Sequence, residues 1–248
     1  MSSIDLNELS LIAAQAALKG GVEILDVYKN ETALVEKKGD DSPLTQADTR
    51  AHQAIMKLLE PTGIPILSEE GKHLPFEERS DWSQLWIVDP LDGTKEFIKR
   101  NGEFTVNIAL VEDGCPIMGV VYVPVTGELY IGSRGQGAAK LIIESNAIIS
   151  SEQLSKGEAL PKKMEREFTA VGSRSHMNEE TETFLETYRE KYGVVAILSK
   201  GSSLKMCMVA EGLADVYPRF APTMEWDTAA GQAICEHAGF QVIDWDTK

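Results

Sequence analysis

Three apolar β-runs follow one another between residues 104 and 133, and this succession limits the possible folds more than any other feature of the chain. The runs are "FTVNIALVEDG", "IMGVVYVPVTG" and "ELYIGS". Asp113-Gly114 and Thr126-Gly127 separate them, and such pairs favour tight turns between antiparallel strands. We therefore expect an antiparallel meander in this part of the chain.

Helical periodicity comes before the meander. Apolar and small residues from Leu6 to Val27 recur at helical spacing and predict an amphipathic helix over residues 5–29. Residues 46–60 are predicted to form a second helix, after the stretch "KKGDDSPLTQAD", which is rich in turn-forming residues. The N-terminal part is thus expected to combine helices with the meander.

Strand and helix patterns alternate beyond a polar stretch at residues 144–167. The predicted strands are "FTAVGS", "VVAILS", "ADVYP" and "FQVIDW", and the predicted helices cover residues 178–191, 203–211 and 227–238. This alternation is typical of a layered α/β unit. We therefore predict an N-terminal lobe, residues 1–147, and a C-terminal α/β lobe, residues 148–248.

The stretch "LWIVDPLDGTKEF" places two acids, Asp89 and Asp92, where a buried strand should stop. Pro90 cannot continue a central ladder, so we expect the strand to end there and Asp92-Gly93-Thr94 to start a short helix up to residue 100. A strand end beside a helix start favours an anion. Two carboxylates in the same crevice would repel that anion unless a hard divalent cation such as Mg²⁺ lies between them.

Further acids stand at the ends of predicted elements. Glu69 and Glu70 end the short strand "IPILSEE", and Asp48 lies in the turn-rich stretch. Asp227 opens a helix whose small residues, in "EWDTAAGQA", permit a close approach to another element. Each of these acids also fits a solvated side chain or an ordinary helix cap, and sequence spacing alone leaves that choice open.

The net negative charge of the chain argues against binding to nucleic acid or to anionic membranes. The chain has 24 basic and 39 acidic side chains, a net charge of −15, and such a field repels nucleic acid and anionic membrane surfaces. An anionic substrate would therefore need local cations to enter a site. Three widely spaced cysteines, the lack of a leader pattern and the lack of a membrane-spanning apolar run favour a cytoplasmic protein without an integral membrane segment.

The stretches "WIVDPLDGTKEF" and "EWDTAAGQAI" together resemble the paired signatures of the inositol monophosphatase superfamily, the lithium-sensitive magnesium phosphatases. Other stretches resemble its 3′(2′),5′-bisphosphate nucleotidase branch, whose bacterial members act in sulfate assimilation. They are "GEFTVNIALV", "GVVYVPV", "GSRSH", "GSSLK" and "YPRF". The similarity runs from about residue 8 to the end of the chain. It implies a mixed α/β fold, a two-lobed, layered αβαβα sandwich, whose C-terminal lobe here lacks the last strand of the family pattern.

The resemblance also implies roles for individual residues. Family members hydrolyse phosphomonoesters with two or three Mg²⁺ ions, by means of a metal-activated water. The positions that match metal ligands are Glu69, Asp89, the backbone carbonyl of Leu91, Asp92 and Asp227. Thr94 and Asp48 match the pair that orients and deprotonates the attacking water, and Glu69 completes the predicted catalytic set.

Substrate contacts are implied by the nucleotidase branch. The matching positions are Gly93, Thr94, Ser173, His176, Gly201, Ser203, Lys205, Arg219 and Asp227. Lys205 would supply a point charge for the 5′-phosphate, and serine hydroxyls would supply hydrogen-bond donors. The serine-rich stretches also fit helix caps, and a lysine on a helix is more often a solvated charge.

The resemblance therefore implies hydrolysis of the 3′-phosphate of adenosine 3′,5′-bisphosphate to AMP and phosphate, and action on the sulfated relative, 3′-phosphoadenylyl sulfate. Two alternatives stay open: an inositol or sugar monophosphatase of the same superfamily, and a non-catalytic module that binds a metal or a phosphoanion. The sequence leaves the oligomeric state open. The resemblance to the bacterial relatives implies a peripheral position at the inner membrane as an alternative to a purely cytoplasmic location.

Overall fold

The computed structural model describes residues 5–30, 43–72, 74–172 and 179–245. Within these ranges a central sheet has seven strands that neighbour one another in chain order. They are β1 (Ile66–Ser68), β2 (Gln84–Asp92), β3 (Thr105–Glu112), β4 (Cys115–Val123), β5 (Glu128–Ser133), β6 (Gly137–Ile142) and β7 (Glu158–Leu160). β1 and β2 are parallel, and each later pair of neighbours is antiparallel. The predicted meander, β3 to β5, is confirmed, and the antiparallel pairing continues to β2 on one side and to β6 and β7 on the other.

Two long helices cover one face of this sheet. The helices in the described ranges are α1 (Leu6–Asn30), α2 (Pro43–Leu59), α3 (Phe76–Arg79), α4 (Thr94–Ile98), α5 (Ser151–Ser155), α6 (Glu179–Tyr192), α7 (Leu204–Glu211) and α8 (Glu225–His237). α1 and α2 pack together, and alternate residues of β3 (Val106, Ile108 and Leu110) join the core beneath them. Both predicted N-terminal helices are confirmed.

The second helix starts earlier than its sequence predicts. It begins at Pro43 rather than at residue 46, so Asp48 lies in the second turn of α2 and not at its first residues, and the turn-rich stretch that contains Asp48 is helical from Pro43 onward. Proline is tolerated at a helix start because the amide hydrogen that it lacks has no partner within the helix there. The consequence for the site is that the position of Asp48 is set by the packing of α2 on β2.

The opposite face of the sheet is covered by α8, which contacts β3, β4 and β5. Contact is so close that a Cβ atom added to Gly119 of β4 would lie 2.3 Å from the carbonyl oxygen of Ala230. A Cβ atom on Gly231 would lie 2.6 Å from the sulfur of Met206 on α7. The close approach predicted from the small residues of this helix is therefore confirmed.

The chain beyond residue 168 builds a smaller second sheet. β8 (Thr169–Gly172) pairs in parallel with β9 (Ala196–Ser199), α7 contacts β8, and α6 stacks Tyr188 and Tyr192 on Phe168. The layers thus follow the order helix, sheet, helix, sheet, helix, which confirms the predicted αβαβα arrangement. β7 pairs with β6, so the central sheet includes residues on both sides of the predicted boundary at 147/148, and the division into lobes stays a prediction.

Two predicted strands are wrong. "ADVYP" contributes an isolated bridge between Val216 and Ala170 rather than a strand, and residues 240–244 of "FQVIDW" are irregular. Both stretches have apolar residues at strand spacing. In the described residues, however, only the single bridge at Val216 gives either stretch a ladder partner, and a strand needs several consecutive pairs.

The strand before the two acids also differs from its prediction. β2 does not stop at Pro90 but continues to Asp92, and its register with β3 shifts between Asp89 and Asp92. A bulge accommodates proline because the ladder is interrupted there. Gly93, not Asp92, is the N-cap of α4, and the helix ends at Ile98, with Lys99 as its C-cap, instead of continuing to residue 100. Two acids three positions apart would face opposite sides of a regular strand; with the register shift between them, both Asp89 and Asp92 line one cleft.

None of the helices in the described ranges has the length and apolarity needed to cross a bilayer.

Candidate active site

A cleft of about 340 Å³ opens at the end of β2, and most of the predicted site residues line it. Its wall is formed by Glu69, Asp89, Leu91, Asp92, Gly93, Thr94, Lys95, Glu96, Ser202, Arg219 and Asp227. All five predicted metal-ligand positions are in this wall. The acids come from the ends of β1 and β2 and from the first turn of α8, which are far apart in the chain.

The parallel pairing of β1 with β2 brings Glu69 and Asp89 together. Ser68 is paired with Val88, and the Glu69 N–H donates to the Val88 carbonyl at 3.1 Å. Glu69, which follows β1, and Asp89, near the end of β2, therefore lie side by side in the cleft wall. Asp89 Oδ1 also accepts from the Leu91 N–H at 3.0 Å, which fixes the chain through the bulge.

Asp89 is the most hidden acid of the cleft, with 1% of its surface exposed. Burial raises its pKa well above the ordinary value, and the charges of Asp92, Glu69, Asp48 and Asp227 raise it further. Burial likewise raises the pKa of Glu69, although the hydrogen bond with Asp89 opposes this shift. The carboxylates thus repel one another, and Asp89 is the one whose charge is least accessible to solvent.

Asp48 belongs to the same electrostatic group. Burial raises its pKa to about 8, with further contributions from the charges of Glu70 and Glu69. The structure places Asp48 on α2 beside these two acids and Thr94 at the start of α4, in the cleft wall. Their pairing across an attacking water stays a prediction.

The donor atoms of the cleft suit a hard divalent cation. Carboxylate and carbonyl oxygens are the ligands that Mg²⁺ prefers, and a cation would relieve the repulsion that raises the pKa values of Asp89 and Glu69. Within the described ranges, no three acidic, histidine or cysteine side chains form a ready-made cluster around one point. The chemistry therefore fits Mg²⁺, and the assignment of individual ligands stays a prediction.

Asp92 is held by hydrogen bonds from the segment before α7 and from β3. Its Oδ2 atom accepts from Ser202 Oγ at 2.8 Å, from the Ser203 N–H at 2.7 Å and from Ser203 Oγ at 2.7 Å. Asn107 Nδ2 lies 3.3 Å from the same oxygen. Asp92 is thus tied to the "GSSLK" stretch and does not cap α4 as the sequence predicts.

Asp227 lies in the first turn of α8 and faces Arg219. Its Oδ2 atom accepts from Thr223 Oγ1 at 2.7 Å and from the Met224 N–H at 3.1 Å, and an Arg219 nitrogen lies 3.5 Å away. The helix start therefore orients this carboxylate, while its negative charge holds the arginine at the edge of the cleft.

A second cavity of about 100 Å³ adjoins the cleft and is lined by Lys205, Arg219, Tyr217 and Ser203, among other residues. The two cavities share Asp92, Ser202, Arg219 and Asp227 as lining residues. Lys205 is only 8% exposed, and its Nζ donates to the Ser202 carbonyl at 2.7 Å. Burial lowers its pKa. In the described part of the chain no carboxylate lies within ion-pair distance of Lys205, so this ammonium has no partner of opposite charge.

Two predicted glycines have different surroundings. Gly93 has φ +102°, and a Cβ atom there would lie 3.2 Å from both Phe104 Cα and Ser202 Cβ, so only glycine suits this turn in the cleft wall. Gly201 donates its N–H to Glu103 Oε2 at 2.9 Å instead of to the cleft. Its role as a substrate contact stays a prediction. Ser173 and His176 lie outside the described residues.

Sequence reasoning missed Asn107, Thr105, Ser202 and Tyr217. Asn107 and Thr105 are buried on β3 and connect to Ser202 and Ser203. Ser202 has φ +53°, a left-handed conformation that a non-glycine residue holds only when its contacts enforce it. A polar pair inside the apolar run "FTVNIALV" was the one sequence signal for this network.

The family model of the inositol monophosphatase family matches residues 5–248. The chain therefore belongs to the inositol monophosphatase family. The fold agrees with that of the inositol monophosphatase from Zymomonas mobilis, with a TM-score of 0.74 at 24% identity, over 99% of this chain and 89% of that one.

Particular relatives carry more specific names. The 3′(2′),5′-bisphosphate nucleotidase CysQ of Salmonella typhimurium is 46% identical over 237 residues, which cover 94% of this chain and 89% of the relative. The protein of the same name from Escherichia coli K12 is 45% identical over 238 residues, with the same coverages. The crystal structure of CysQ from Bacteroides thetaiotaomicron superposes with a TM-score of 0.89 at 52% identity, over 94% of this chain and 87% of that one.

Proposed function

We propose that this protein is a Mg²⁺-dependent 3′(2′),5′-bisphosphate nucleotidase. It hydrolyses the 3′-phosphate of adenosine 3′,5′-bisphosphate to give AMP and phosphate, and it acts on the sulfated relative, 3′-phosphoadenylyl sulfate, in the same way. The names of the relatives support this activity. Membership of the inositol monophosphatase family supports the reaction class and the use of magnesium.

The observation that carries the proposal is a buried cation in a cavity that adjoins the acidic cleft. The smaller cavity shares Asp92 and Asp227 with the larger cleft and adds Lys205 beside Arg219. Among the described residues no carboxylate lies within ion-pair distance of the Lys205 ammonium. A substrate with two phosphate groups suits these two cavities, because one phosphate can occupy the metal cleft while the other neutralises the buried lysine. A monophosphate bound in the cleft leaves Lys205 without an anionic ligand.

The chain's own residues hold and orient the reactants. Bound Mg²⁺ supplies positive charge to the phosphoryl oxygens and lowers the pKa of the attacking water. The residues that would hold the metal ions are Glu69, Asp89, Asp92, Asp227 and the Leu91 carbonyl. Asp48 accepts one proton of a water that Thr94 orients, and the water oxygen bonds to phosphorus as the bond from phosphorus to the ribose 3′-oxygen breaks. The leaving 3′-oxygen takes up a proton from solvent, which gives AMP and inorganic phosphate.

Two other functions compete with this proposal. An inositol or sugar monophosphatase would use the same cleft without the cationic cavity. A non-catalytic module would bind a metal or a phosphoanion without needing Asp48 and Thr94. The proposal includes two or three bound Mg²⁺ ions and a cytoplasmic location, with a peripheral position at the inner membrane as the alternative.

A phosphate-release assay tests the activity. We expect Mg²⁺-dependent release from adenosine 3′,5′-bisphosphate and much slower release from inositol 1-phosphate. Equal rates on both substrates would favour the monophosphatase, and no release from either would favour the binding module.

Substitution of Lys205 by methionine tests the role of the second cavity. We expect Lys205→Met to raise KM for adenosine 3′,5′-bisphosphate by about 10- to 100-fold, the value of a hydrogen bond to a charged group. Hydrolysis of 3′-AMP, which lacks the 5′-phosphate, should be unchanged. Lys156→Met is the matched control, because Lys156 is exposed and pairs with Glu152 on α5. Equal losses on both nucleotides would contradict the assignment.

A further inference from the structure

We propose that Asn107 is a positioning residue that fixes Asp92 for metal binding and couples it to the segment that carries Lys205. The inference rests on the proposed function, because it takes Asp92 as a metal ligand. Asn107 itself lines neither cavity, so it acts through the wall residues that it holds. It is 1% exposed on β3, which is one of the most buried strands of the sheet.

Asn107 makes three side-chain contacts that connect different elements. Its Nδ2 lies 2.9 Å from Ser203 Oγ and 3.3 Å from Asp92 Oδ2, and its Oδ1 accepts from Thr105 Oγ1 at 2.8 Å. Thr105 Oγ1 is also 2.5 Å from Ser202 Oγ. The side chain of Asn107 therefore links β3, the end of β2 and the segment that leads into α7.

The assignment of hydrogen-bond donors and acceptors distinguishes the Asn107 amide from the hydroxyl groups around it. A carboxylate only accepts, so the amide nitrogen of Asn107 must face Asp92 and its oxygen must face Thr105. Thr105 then gives its single proton to that oxygen. Ser202 has one proton for two acceptors, Thr105 Oγ1 and Asp92 Oδ2. Ser203 likewise has one hydroxyl proton for Asp92 Oδ2 and the Asp227 carbonyl.

The hydroxyl groups can therefore turn away from Asp92, whereas the N–H donors of Asn107 and of the Ser203 backbone cannot. Among the described residues, every hydrogen bond to Asp92 ends on Oδ2. This one-sided arrangement leaves Oδ1 for a ligand in the cleft. Groups that hold a ligating carboxylate by its other oxygen orient the ligand and tune its affinity for the metal.

The coupling to the second cavity runs through the same segment. Asn107 holds the Ser203 hydroxyl, and Ser202, the preceding residue, accepts from Lys205 through its carbonyl oxygen. A shift of Asn107 thus moves the acid that holds the metal and the lysine assigned to the 5′-phosphate. Loss of its amide should weaken metal binding first, because the fixed donor to Asp92 is removed directly.

The test compares Asn107→Ala with Thr105→Val and with a control on the same strand face, Val111→Ala. Val111 lies at the far end of β3 in the core beneath α7 and α8, so its truncation disturbs packing without touching Asp92. Mn²⁺ binding is followed by loss of the free-ion EPR signal, the Mg²⁺ concentration for half-maximal phosphate release is measured separately, and thermal melting monitors the fold.

We expect Asn107→Ala to weaken Mn²⁺ binding and to raise the half-maximal Mg²⁺ concentration by about tenfold, with most of kcat recovered at saturating Mg²⁺. Thr105→Val, which is isosteric, should shift both values in the same direction by less, because the amide loses its anchor but not its donor. Val111→Ala should lower the melting temperature and leave both values unchanged.

Several results would overturn the proposal. One is wild-type Mn²⁺ affinity in Asn107→Ala. If Asn107→Ala does not fold, wild-type Mn²⁺ affinity in Thr105→Val would overturn the proposal instead. If the wild type binds Mn²⁺ but releases no phosphate, the proposed function fails and EPR still decides the role of Asn107. If the wild type binds no Mn²⁺, Asp92 is no metal ligand and the positioning role fails with it.

Discussion

Two buried acids in this protein, Asp89 and Glu211, are similarly hidden from solvent but have opposite surroundings. Asp89 is 1% exposed and lies among carboxylates that raise its pKa. Glu211, at the end of α7, is 4% exposed and accepts from Lys140 at 2.9 Å and from the Tyr130 hydroxyl at 3.0 Å. Lys162 lies 3.2 Å from its second oxygen.

The surroundings of Glu211 reverse the effect of burial. Burial acts to raise its pKa, but the hydrogen bonds and charge of Lys140, together with bonds from Tyr130 and Lys162, outweigh it and hold the pKa below the ordinary 4.5. A buried charge with its partners in place stabilises the packing of α7 on the sheet. A buried charge among like charges costs stability, and such sites persist where function needs them. We therefore call Glu211 the structural acid and Asp89, which the proposed function assigns to metal binding, the functional acid.

The largest expected effect comes from neutralising the functional acid. We predict that Asp89→Asn loses Mg²⁺-dependent phosphate release by about 1000-fold or more, because a metal ligand worth several kcal/mol of transition-state stabilisation is removed. Without Mg²⁺, the variant should unfold at the same urea concentration as the wild type or a higher one, since a repelled charge is lost. Phosphate release and urea unfolding measure the two quantities.

Asp113→Asn is the matched control for that substitution. Asp113 lies in the exposed turn between β3 and β4 with φ +49°, a conformation that asparagine also adopts readily. Neither activity nor stability should change. A melting temperature that rises equally with Mg²⁺ in the wild type and in Asp89→Asn would show that Asp89 does not hold the ion.

Neutralising Glu211 should lower stability and leave activity unchanged, which is the opposite of the effect expected for Asp89→Asn. We predict that Glu211→Gln lowers the free energy of unfolding by about 2 kcal/mol, because Lys140 and Lys162 lose a buried partner. Turnover per folded molecule should be unchanged, since Glu211 is in neither cavity wall. Glu158→Gln is the control: Glu158 pairs with the same Lys162 but is exposed, so the change should stay below about 0.5 kcal/mol. A loss of kcat in Glu211→Gln would remove the distinction between the two acids.

Local sequence patterns predicted the elements that carry the cleft. The turn pairs at Asp113-Gly114 and Thr126-Gly127 predicted the meander, and the acids at the ends of predicted strands singled out Glu69 and Asp89, which both line the cleft. These features depend on a few neighbouring residues, so the sequence contains them in full. The bulge at Pro90 is the one feature of this region that was not predicted. The rule that proline ends a central strand does not apply there, because the register between β2 and β3 shifts.

The contacts between distant residues could not be predicted in the same way. Asn107 meets Ser203 across 96 positions of the chain, and Glu211 meets Lys140 across 71. Nothing in the stretch around Glu211 distinguishes it from a solvated acid, and only the packing of α7 on β5 and β6 supplies its partners. For the same reason the family resemblance, and not spacing, indicated that Asp227 joins the acids of the β1 and β2 ends.

The smallest predicted effect is the pH dependence of the structural acid, and its sign follows from the lowered pKa. A carboxyl group whose folded-state pKa lies below its unfolded value of 4.5 adds stability above pH 4.5, and that stability is lost as the pH falls through the folded pKa. The difference in unfolding free energy between the wild type and Glu211→Gln should therefore be constant from pH 7 to about pH 5 and shrink below pH 4.5. Urea unfolding of both proteins at constant ionic strength and without Mg²⁺ measures this difference. A difference in unfolding free energy that stays constant down to pH 3 would mean that Glu211→Gln is destabilised by altered packing and not by loss of charge. The contrast between Glu211 and Asp89 would then not be electrostatic.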